Sequence, residues 1–365
     1  MQLPLPFLHH YRNLAIQTMK RKNLLLLVLA VFISATSYAQ SNEEKPYVTK
    51  SFNSSSLNAL SVETSGGAIA VTGGQSNGFK VDMFVVQNNW KDKKELSKAE
   101  IEERLDDYDI LIGTEGNKVV ARAKRKEGIK WDNNKNVSIG FKIYTPRAIS
   151  TYLKTSGGSI RIASLTGEQN FTTSGGSMKV EDLDGTVRGR TSGGSIEVTN
   201  CRKDIELVTS GGSIKASDLK GRIDLKTSGG SITLNSLDGE IEAVTSGGSI
   251  KGDGIAGSLN TGTSGGSVRL ANVSGSLKAS TSAGSVEVSM TKLGKYLDLR
   301  SSAGSIRVTM PLENGLDLNL KGNKVSIPLK NFDGNVEKDR VSGKINGGGI
   351  PVTLSASSGS VYVNQ

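Results

Sequence analysis

From residue 155 onward, aliphatic and polar positions alternate in a pattern that repeats every 18 residues. Each repeat opens with Thr-Ser-Gly-Gly-Ser, and we number its positions from that threonine. Aliphatic side chains recur at positions 6, 8, 11 and 15, as at Ile232, Leu234, Leu237 and Ile241. Spacings of two are those of a β-strand, in which alternate side chains point to one face. The pattern predicts two short strands per repeat, at positions 5–9 and 14–18, with these side chains directed inward.

A repeat this regular predicts a solenoid in which each unit is one coil. A coil of two strands cannot bury its aliphatic face alone, but parallel stacking of equivalent strands buries it in a continuous interior. The expected fold class is all-β, a single-chain parallel β-helix with 18 residues per coil. Aliphatic spacings of 2, 3 and 4 differ from the hexapeptide repeat of left-handed β-helices, so the right-handed form is favoured.

Two glycine positions are expected to turn the corners of each coil. Position 13 is usually glycine, and the Ser-Gly-Gly segment forms the other corner. Position 3 changes to alanine at Ala283 and Ala303, whereas position 4 stays glycine in every copy. Position 4 therefore needs either a positive φ or a close backbone approach. The predicted structural corner glycines are Gly158, Gly176, Gly194, Gly212, Gly230, Gly248, Gly266, Gly284 and Gly304.

Breaks in the repeat divide the chain into five expected segments. They are a signal peptide (1–39), N-terminal strands with a first coil (40–86), an irregular insertion (87–150), the regular coils (151–310) and terminal coils (311–365). Within the insertion, apolar residues near helical spacing predict an amphipathic helix over 93–108, and strands are expected over 110–124 and 137–145. Since a solenoid exposes unpaired strands at its ends, we expect this α+β insertion to cap the N-terminal end.

The first 39 residues have the pattern of a secretory signal. Lys20-Arg21-Lys22 precedes an apolar run over 24–33, and Ser37-Tyr38-Ala39 provides small residues for cleavage before Gln40. The chain is therefore expected to be exported, to the periplasm, the outer cell surface or the medium. No later stretch predicts a transmembrane segment.

Removal of the signal changes the available chemistry. The formal charge falls from +10 to +6, and both histidines, His9 and His10, are lost. The single cysteine, Cys201, lies at the aliphatic position 11 and is expected to be a buried core residue. This composition excludes histidine-based triads, histidine-ligated zinc and an internal disulfide. We predict no catalytic residue, no cofactor and no metal site.

Position 7 supplies a candidate ligand face. Its cations are expected to line up along the rod as a track for glycans or other anionic surface polymers, although Glu197, Thr233 and Glu287 interrupt them. The alternative is an ordinary solvated face. No aromatic residues alternate with the cations, so nucleic-acid binding is not indicated. The six cations are Arg161, Lys179, Lys215, Lys251, Arg269 and Arg307.

Two further sets of polar residues have structural and functional interpretations. Hydroxyl rows at positions 1, 2 and 5 could bind glycan, but hydrogen bonding to each other and to the corner backbone is favoured. Asp182, Asn200 and Asp218 at position 10 are expected to cap a turn through bonds to backbone, in preference to forming a carboxylate pair.

Repeated Thr-Ser-Gly-Gly-Ser-Ile units after a signal peptide resemble the bacterial adhesin domains of the Toastrack and head-GIN type. The segment Phe141-Lys-Ile-Tyr-Thr-Pro146, a strand ending at proline before the first regular coil, is similar to theirs. The resemblance covers about residues 50–365. The commoner family motif is Ser-Ser-Gly-Asp-Ile, and serine in place of aspartate lowers the acidity of this corner. The resemblance implies an exported, adhesive envelope protein and supplies no catalytic residue.

The leading hypothesis is a non-enzymatic, exported β-helix that binds glycans or other molecules at the cell envelope. One alternative is a polysaccharide-active enzyme on the same rod, in which acidic residues of the insertion such as Asp106 and Asp107 would act. Another is a purely structural envelope module.

Overall fold

The computed structural model describes residues 45–76, 78–87, 96–128 and 136–365. The predicted signal peptide lies outside these ranges. The described chain is nearly all β, with a β-solenoid of about nine turns and very little helix. The predicted all-β parallel solenoid is therefore confirmed. Within the described ranges, no helix is long and apolar enough to cross a membrane.

The regular coils are single long strands that bend at their corners. Each pairs in parallel with the next at an offset of one repeat, so that Ile196 lies beside Ile214. The expectation of two separate short strands per coil is therefore wrong, because backbone pairing continues through two of the corners. These strands are β9 (Ile160–Thr173), β10 (Met178–Thr191), β11 (Ile196–Thr209), β12 (Ile214–Thr227), β13 (Ile232–Thr245), β14 (Ile250–Thr263), β15 (Val268–Thr281) and β16 (Val286–Ser301).

The bends lie at positions 10 and 13. Position 10 has a left-handed backbone in all seven coils from β9 to β15, with φ between 52° and 67°. The expectation that Asp182, Asn200 and Asp218 cap a neighbouring turn is therefore corrected, because these residues form the turn. Asparagine, aspartate and serine tolerate this conformation better than bulky residues do. At position 13 the glycines have φ from 98° to 152°, and Lys203 replaces glycine in one coil with φ 82°.

The interior is lined by positions 6, 8, 11 and 15, as predicted, and also by position 17, which the aliphatic pattern missed. Phe171, Leu207 and Leu225 at position 17 are buried. Gly189 occupies the same position between Phe171 and Leu207, and a Cβ there would overlap the Phe171 ring. Position 17 is thus filled by large and small residues that compensate one another across neighbouring coils.

The threonine at position 1 is buried and ties each coil to the one before it. The Thr209 hydroxyl donates to the carbonyl oxygen of Gly194 at 2.8 Å and accepts from the Gly212 N–H at 3.2 Å. The serines at position 5 form a second ladder, in which the Ser213 N–H donates to Ser195 Oγ at 3.3 Å. The favoured interpretation, hydroxyl rows that bind the corner backbone, is confirmed for these two positions.

Position 4 is glycine because successive coils touch there. A Cβ on Gly212 would overlap the carbonyl group of Gly194, whereas a Cβ on Gly211 would lie 3.5 Å from its nearest neighbour. The same overlap recurs at each predicted corner glycine. None of these glycines has a positive φ, so that alternative is wrong, and close backbone approach is the physical reason.

At the N-terminal end the order of the coils in space differs from their order in sequence. Strands β2 and β3 pair in parallel with β6 and β7 on one side and with β8 and β9 on the other. Antiparallel strands cover the outer coil, β5 on β6, β4 on β7 and β1 on β4. The elements are β1 (Val48–Phe52), β2 (Ala59–Thr64), β3 (Ile69–Gly73), β4 (Phe79–Gln87), α1 (Lys98–Leu105), β5 (Tyr108–Glu115), β6 (Lys118–Arg125), β7 (Val137–Thr145) and β8 (Ser150–Thr155).

The expected insertion at 87–150 is thus partly a coil of the solenoid. Its strands β6 and β7 form the coil outside β2 and β3, and of its described elements β5 and α1 lie outside the repeat. The expected strand at 110–124 is a hairpin of β5 and β6, and that at 137–145 is β7. Helix α1 starts after the capping residue Ser97 and none of its residues is buried, while Tyr108 already belongs to β5. The beginning of the predicted helix lies outside the described residues.

The C-terminal end has the same exchanged order. Strands β22 and β23 lie between β16–β17 and β18–β19, so the last coil in sequence is not the outermost. Antiparallel β21 covers β18, and β20 covers β21. The strands are β17 (Ile306–Thr309), β18 (Leu316–Lys321), β19 (Val325–Ser326), β20 (Phe332–Val336), β21 (Arg340–Ile345), β22 (Ile350–Ala356) and β23 (Val361–Asn364).

We expect Gly212→Ala to lower the free energy of unfolding by about 1–3 kcal/mol, because the added methyl must push two coils apart. Gly211→Ala should cost much less, since its Cβ has ordinary contact distances. Thermal melting of the two variants measures the difference. Equal shifts in melting temperature would contradict the assignment of the close contact to position 4.

We expect Thr209→Val to lower the free energy of unfolding by about 1–3 kcal/mol, because the isosteric change leaves the buried Gly194 carbonyl and Gly212 N–H without the hydroxyl. Ser210→Ala is the matched control, since Ser210 is exposed in the same corner. Urea unfolding of both variants tests this, and an unchanged midpoint for Thr209→Val would refute it.

Candidate functional site

The predicted cations at position 7 lie in one row on the outer side of the coils. The strand register places Arg161 beside Lys179, and Lys251 beside Arg269. Glu197, Thr233 and Glu287 interrupt the row, as expected from the sequence. We call the surface formed by positions 5, 7 and 9 of these coils the basic face. Neighbouring strands are about 4.8 Å apart, so side chains in the row have fixed separations along the rod.

The row continues beyond the residues predicted from the repeat. At the N-terminal end Ala70 lies beside Arg161, and Lys142 lies on the other side of Ala70 in the same row. At the other end Arg307 lies beside Tyr362 of the last coil, with its guanidinium 5.3 Å from the ring centre. The repeat pattern missed Lys142 and Tyr362, because the coils that carry them are out of sequence order.

Most of the position 7 cations are exposed, and their charges are only partly balanced. Within the described chain, Arg161, Lys215 and Lys251 form no ion pair. Lys179 lies 4.0 Å from Glu181, and Arg269 lies 3.7 Å from Glu287. Long exposed ion pairs of this kind contribute little and leave both charges available to a ligand.

The second strand face, formed by positions 14, 16 and 18, carries most of its charges in ion pairs, although Arg222 and Lys278 lie on it without one in the described chain. Arg188 contacts Glu168 at 3.3 Å and Glu206 at 3.9 Å. Lys226 contacts Asp224 at 2.8 Å and Glu242 at 3.8 Å, and the hydrogen bond with Asp224 raises the lysine pKa. We call this surface the paired face. The same repeat therefore builds one face with internal neutralisation and one with cations in excess.

The paired face extends to the N-terminal coils. Glu63 lies 2.9 Å from Lys124 and 3.6 Å from Lys154, so it bridges cations of the two flanking coils. Burial raises the pKa of Glu63, but the hydrogen bond and charge of Lys124, with the charge of Lys154, outweigh burial and hold the pKa below its usual value. Its carboxylate thus holds coils together and is not arranged as an acid or base.

Two shallow depressions lie on the basic face. The larger has a volume of about 600 Å³ and lies over Gly252, with Lys251, Arg269 and Arg307 along it. The other has a volume of about 470 Å³ and includes Arg161, Lys179 and Lys215. The six predicted cations are therefore divided between these two depressions.

Among the acidic residues considered as catalytic candidates, Asp182 has side-chain partners within the protein, and Asp106 has a backbone contact with a lysine. Asp182 Oδ1 accepts hydrogen bonds from Arg147 at 3.2 Å and from Asn200 at 3.3 Å. Asp106 is the C-terminal cap of α1, and its carbonyl oxygen accepts from Lys126. Among the residues that the structure describes, no three His, Cys, Asp or Glu side chains cluster in a way that could hold a metal ion.

Cys201 is a buried core residue. It is fully shielded from solvent, and its thiol donates to the carbonyl oxygen of Thr199 at 3.4 Å. Burial raises the pKa of the Cys201 thiol to about 11, because the thiolate would lose its hydration.

We expect Cys201 to react with iodoacetamide very slowly in the folded protein at pH 8, since the thiolate is the reactive form and the folded protein holds almost none at that pH. Reaction in denaturant should be complete, because the thiol then regains an ordinary pKa. Mass spectrometry of the labelled fraction measures both. Fast labelling of the native protein would contradict a closed interior at this coil.

Comparison with known proteins identifies a family for the chain. No curated protein matches the chain. Among solved structures, the chain is similar to a "putative cell adhesion protein" from Clostridium sporogenes, with 13% identity over 88% of this chain and 100% of that chain, and a TM-score of 0.20. The family model described as Toastrack DUF4097 matches residues 33–364. Since that match spans most of the sequence, the chain belongs to the Toastrack family.

Proposed function

We propose that this protein is a non-enzymatic, exported protein of the cell envelope that adheres to anionic surface polymers through its basic face. The polymers are glycans that carry carboxylate or sulfate groups. Export is supported by the signal pattern over residues 1–39, and a surface role is compatible with membership of the Toastrack family.

The observation that carries the proposal is the difference between the two strand faces. Both faces are flat and exposed, and both are built from the same repeat. The paired face balances most of its arginines and lysines with carboxylates on the same or adjacent coils, as Arg188 is balanced by Glu168 and Glu206. On the basic face Arg161, Lys215 and Lys251 have no such partner within the described chain. An excess of one charge sign on a long flat surface attracts polymers of the opposite sign.

The expected strength follows from the number of contacts. One exposed ion pair contributes about 0.2–1 kcal/mol, so a single charge on a ligand would bind weakly. A polymer engages several cations after its first contact, and each later contact is intramolecular. Binding through the basic face should therefore be strong for long chains and should weaken as salt screens the charges.

We expect Arg161→Gln, Lys215→Gln and Lys251→Gln, combined in one variant, to weaken binding to immobilised dextran sulfate or polygalacturonate by about tenfold, as the loss of three weak ion pairs implies. Biolayer interferometry at two salt concentrations measures the affinity. Neutral dextran is the reference polymer.

The matched control combines Arg202→Gln, Arg222→Gln and Lys278→Gln. These cations are also exposed and without an ion pair in the described chain, but they lie outside the basic face. The control removes the same charge and should change the affinity less than twofold. Equal losses in the two triple variants would show that net charge alone acts, and an unchanged affinity in the first variant would refute the proposed face.

A further inference from the structure

We infer that the larger depression of the basic face is a groove for a linear acidic glycan with a carboxylate or sulfate on every second sugar. This inference rests on the proposed function and names the ligand class of one part of the basic face. The groove crosses strands β13 to β17 and reaches Asn364 on β23.

The groove lies over an irregularity in the core. Gly252 occupies position 8, where other coils have a side chain directed inward. The side chain of Leu270 leans into the space that this leaves, since a Cβ on Gly252 would lie 2.8 Å from Leu270 Cδ2. The adjacent Gly254 takes the left-handed conformation at position 10. The missing side chain at Gly252 is an inward one, so Leu270 compensates for it in the core, and Lys251 and Asp253 occupy the outward positions 7 and 9 of β14.

The two walls of the groove differ in chemistry. Position 7 forms one wall and supplies three cations, Lys251, Arg269 and Arg307. Position 9 forms the other wall, where Ser289 and Thr309 are small and hydroxylated. A glycan with acidic groups along one edge and hydroxyl groups along the other matches these walls.

One wall carboxylate is already engaged within the protein. Asp253 Oδ1 accepts a hydrogen bond from Asn272 Nδ2 at 2.7 Å. The Asp253 carboxylate, on the wall formed by position 9, is therefore bound to a residue of the position 10 bend. Its remaining oxygen can accept hydrogen bonds from sugar hydroxyl groups.

The strand spacing sets the register between ligand and groove. Neighbouring strands are about 4.8 Å apart, and one hexose advances an extended glycan by a similar distance. A chain lying along the rod therefore presents about one sugar to each strand. Lys251 and Arg269 on adjacent strands can hold one acidic group, and Arg307, two strands beyond Arg269, can hold the next.

Glu287 lies between these two sites and makes the groove distinguish alternating glycans from glycans that are acidic at every sugar. It lies on the strand between Arg269 and Arg307, and its carboxylate is 3.7 Å from Arg269. An acidic sugar over this strand would face a like charge, whereas a neutral sugar could donate its hydroxyls to the carboxylate. A glycan acidic at every sugar thus meets repulsion that an alternating glycan avoids.

One of the cations has a contact that orients it before any ligand binds. The Arg307 guanidinium stacks on the Tyr362 ring at 5.3 Å. Such contacts lower the side-chain entropy that would be lost on binding. Tyr362 also places an aromatic ring beside the far end of the groove.

The first experiment compares oligosaccharides of equal length by isothermal titration calorimetry. A hyaluronan octasaccharide carries a carboxylate on alternate sugars, an octagalacturonate carries one on every sugar, and maltooctaose is neutral. We expect hyaluronan to bind at least tenfold more tightly than octagalacturonate, and maltooctaose not to bind. Equal or tighter binding of octagalacturonate would overturn the inferred register.

Substitutions inside and outside the groove test where the ligand binds. Arg269→Gln and Arg307→Gln should each weaken hyaluronan binding about three- to fivefold, while Arg161→Gln and Lys179→Gln, at position 7 outside the groove, should change it less than twofold. Ala271→Trp fills the groove without a change of charge and should abolish binding. Its control is Ala163→Trp, at the same position of an outer coil. Equal effects inside and outside the groove would contradict glycan binding in the groove, but they would not contradict polymer binding by the basic face as a whole.

Glu287→Gln tests the preference for hyaluronan over octagalacturonate separately from the affinity for either. We expect it to improve octagalacturonate binding by several times more than hyaluronan binding, so that the preference between the two narrows. An equal improvement of both ligands would refute the role of Glu287. Failure of every acidic oligosaccharide and polymer to bind the native protein would refute the proposed function as well.

Discussion

The structure depends on one backbone contact, the approach of position 4 glycines in successive coils. The carbonyl group of one glycine occupies the place that a Cβ of the next would need, as with Gly194 and Gly212. The threonine hydroxyl at position 1 bonds the same carbonyl and thereby compensates for its burial. This corner fixes the distance and register of neighbouring coils, so strand pairing elsewhere follows from it. The Ser-Gly-Gly corner is thus a stacking device, and its hydroxyl groups are largely used within the protein.

Because the corner carries the stacking, the outward positions of the strands can vary without loss of the fold. Positions 5, 7 and 9 form the basic face, and positions 14, 16 and 18 of the same repeat form the paired face. The paired face uses adjacent coils as partners, as when Glu63 bridges Lys124 and Lys154. The basic face leaves Lys215 and Lys251 without such partners in the described chain, so their charges are exposed to solvent.

The sequence predicts the regular coils well because their contacts join identical positions of neighbouring repeats. It identifies the inward positions 6, 8, 11 and 15, and it separates the two glycines of the corner. Position 17 escapes prediction because Gly189 and Phe171 fill the core jointly, so no single residue type recurs. The asparagine, aspartate and serine residues at position 10 are a signal for the turn itself, since all three tolerate the left-handed backbone found there. The groove beside Lys251, Arg269 and Arg307 includes Asn364 of the last coil, whose place beside Thr309 is not visible in the repeat pattern.

The exchanged order of the end coils links fold and candidate site. A repeat pattern predicts that each coil pairs with its neighbours in sequence, but β23 pairs with β17 on one side and β19 on the other. The last coil is therefore held on both sides, and hairpin strands beyond it cover the exposed sheet edge, which would otherwise template further pairing. This arrangement places Tyr362 against Arg307 and Asn364 beside Thr309. The pairing of β23 between β17 and β19 thus also orients Arg307 at the far end of the basic face, and a cation that is already oriented loses less entropy when it binds.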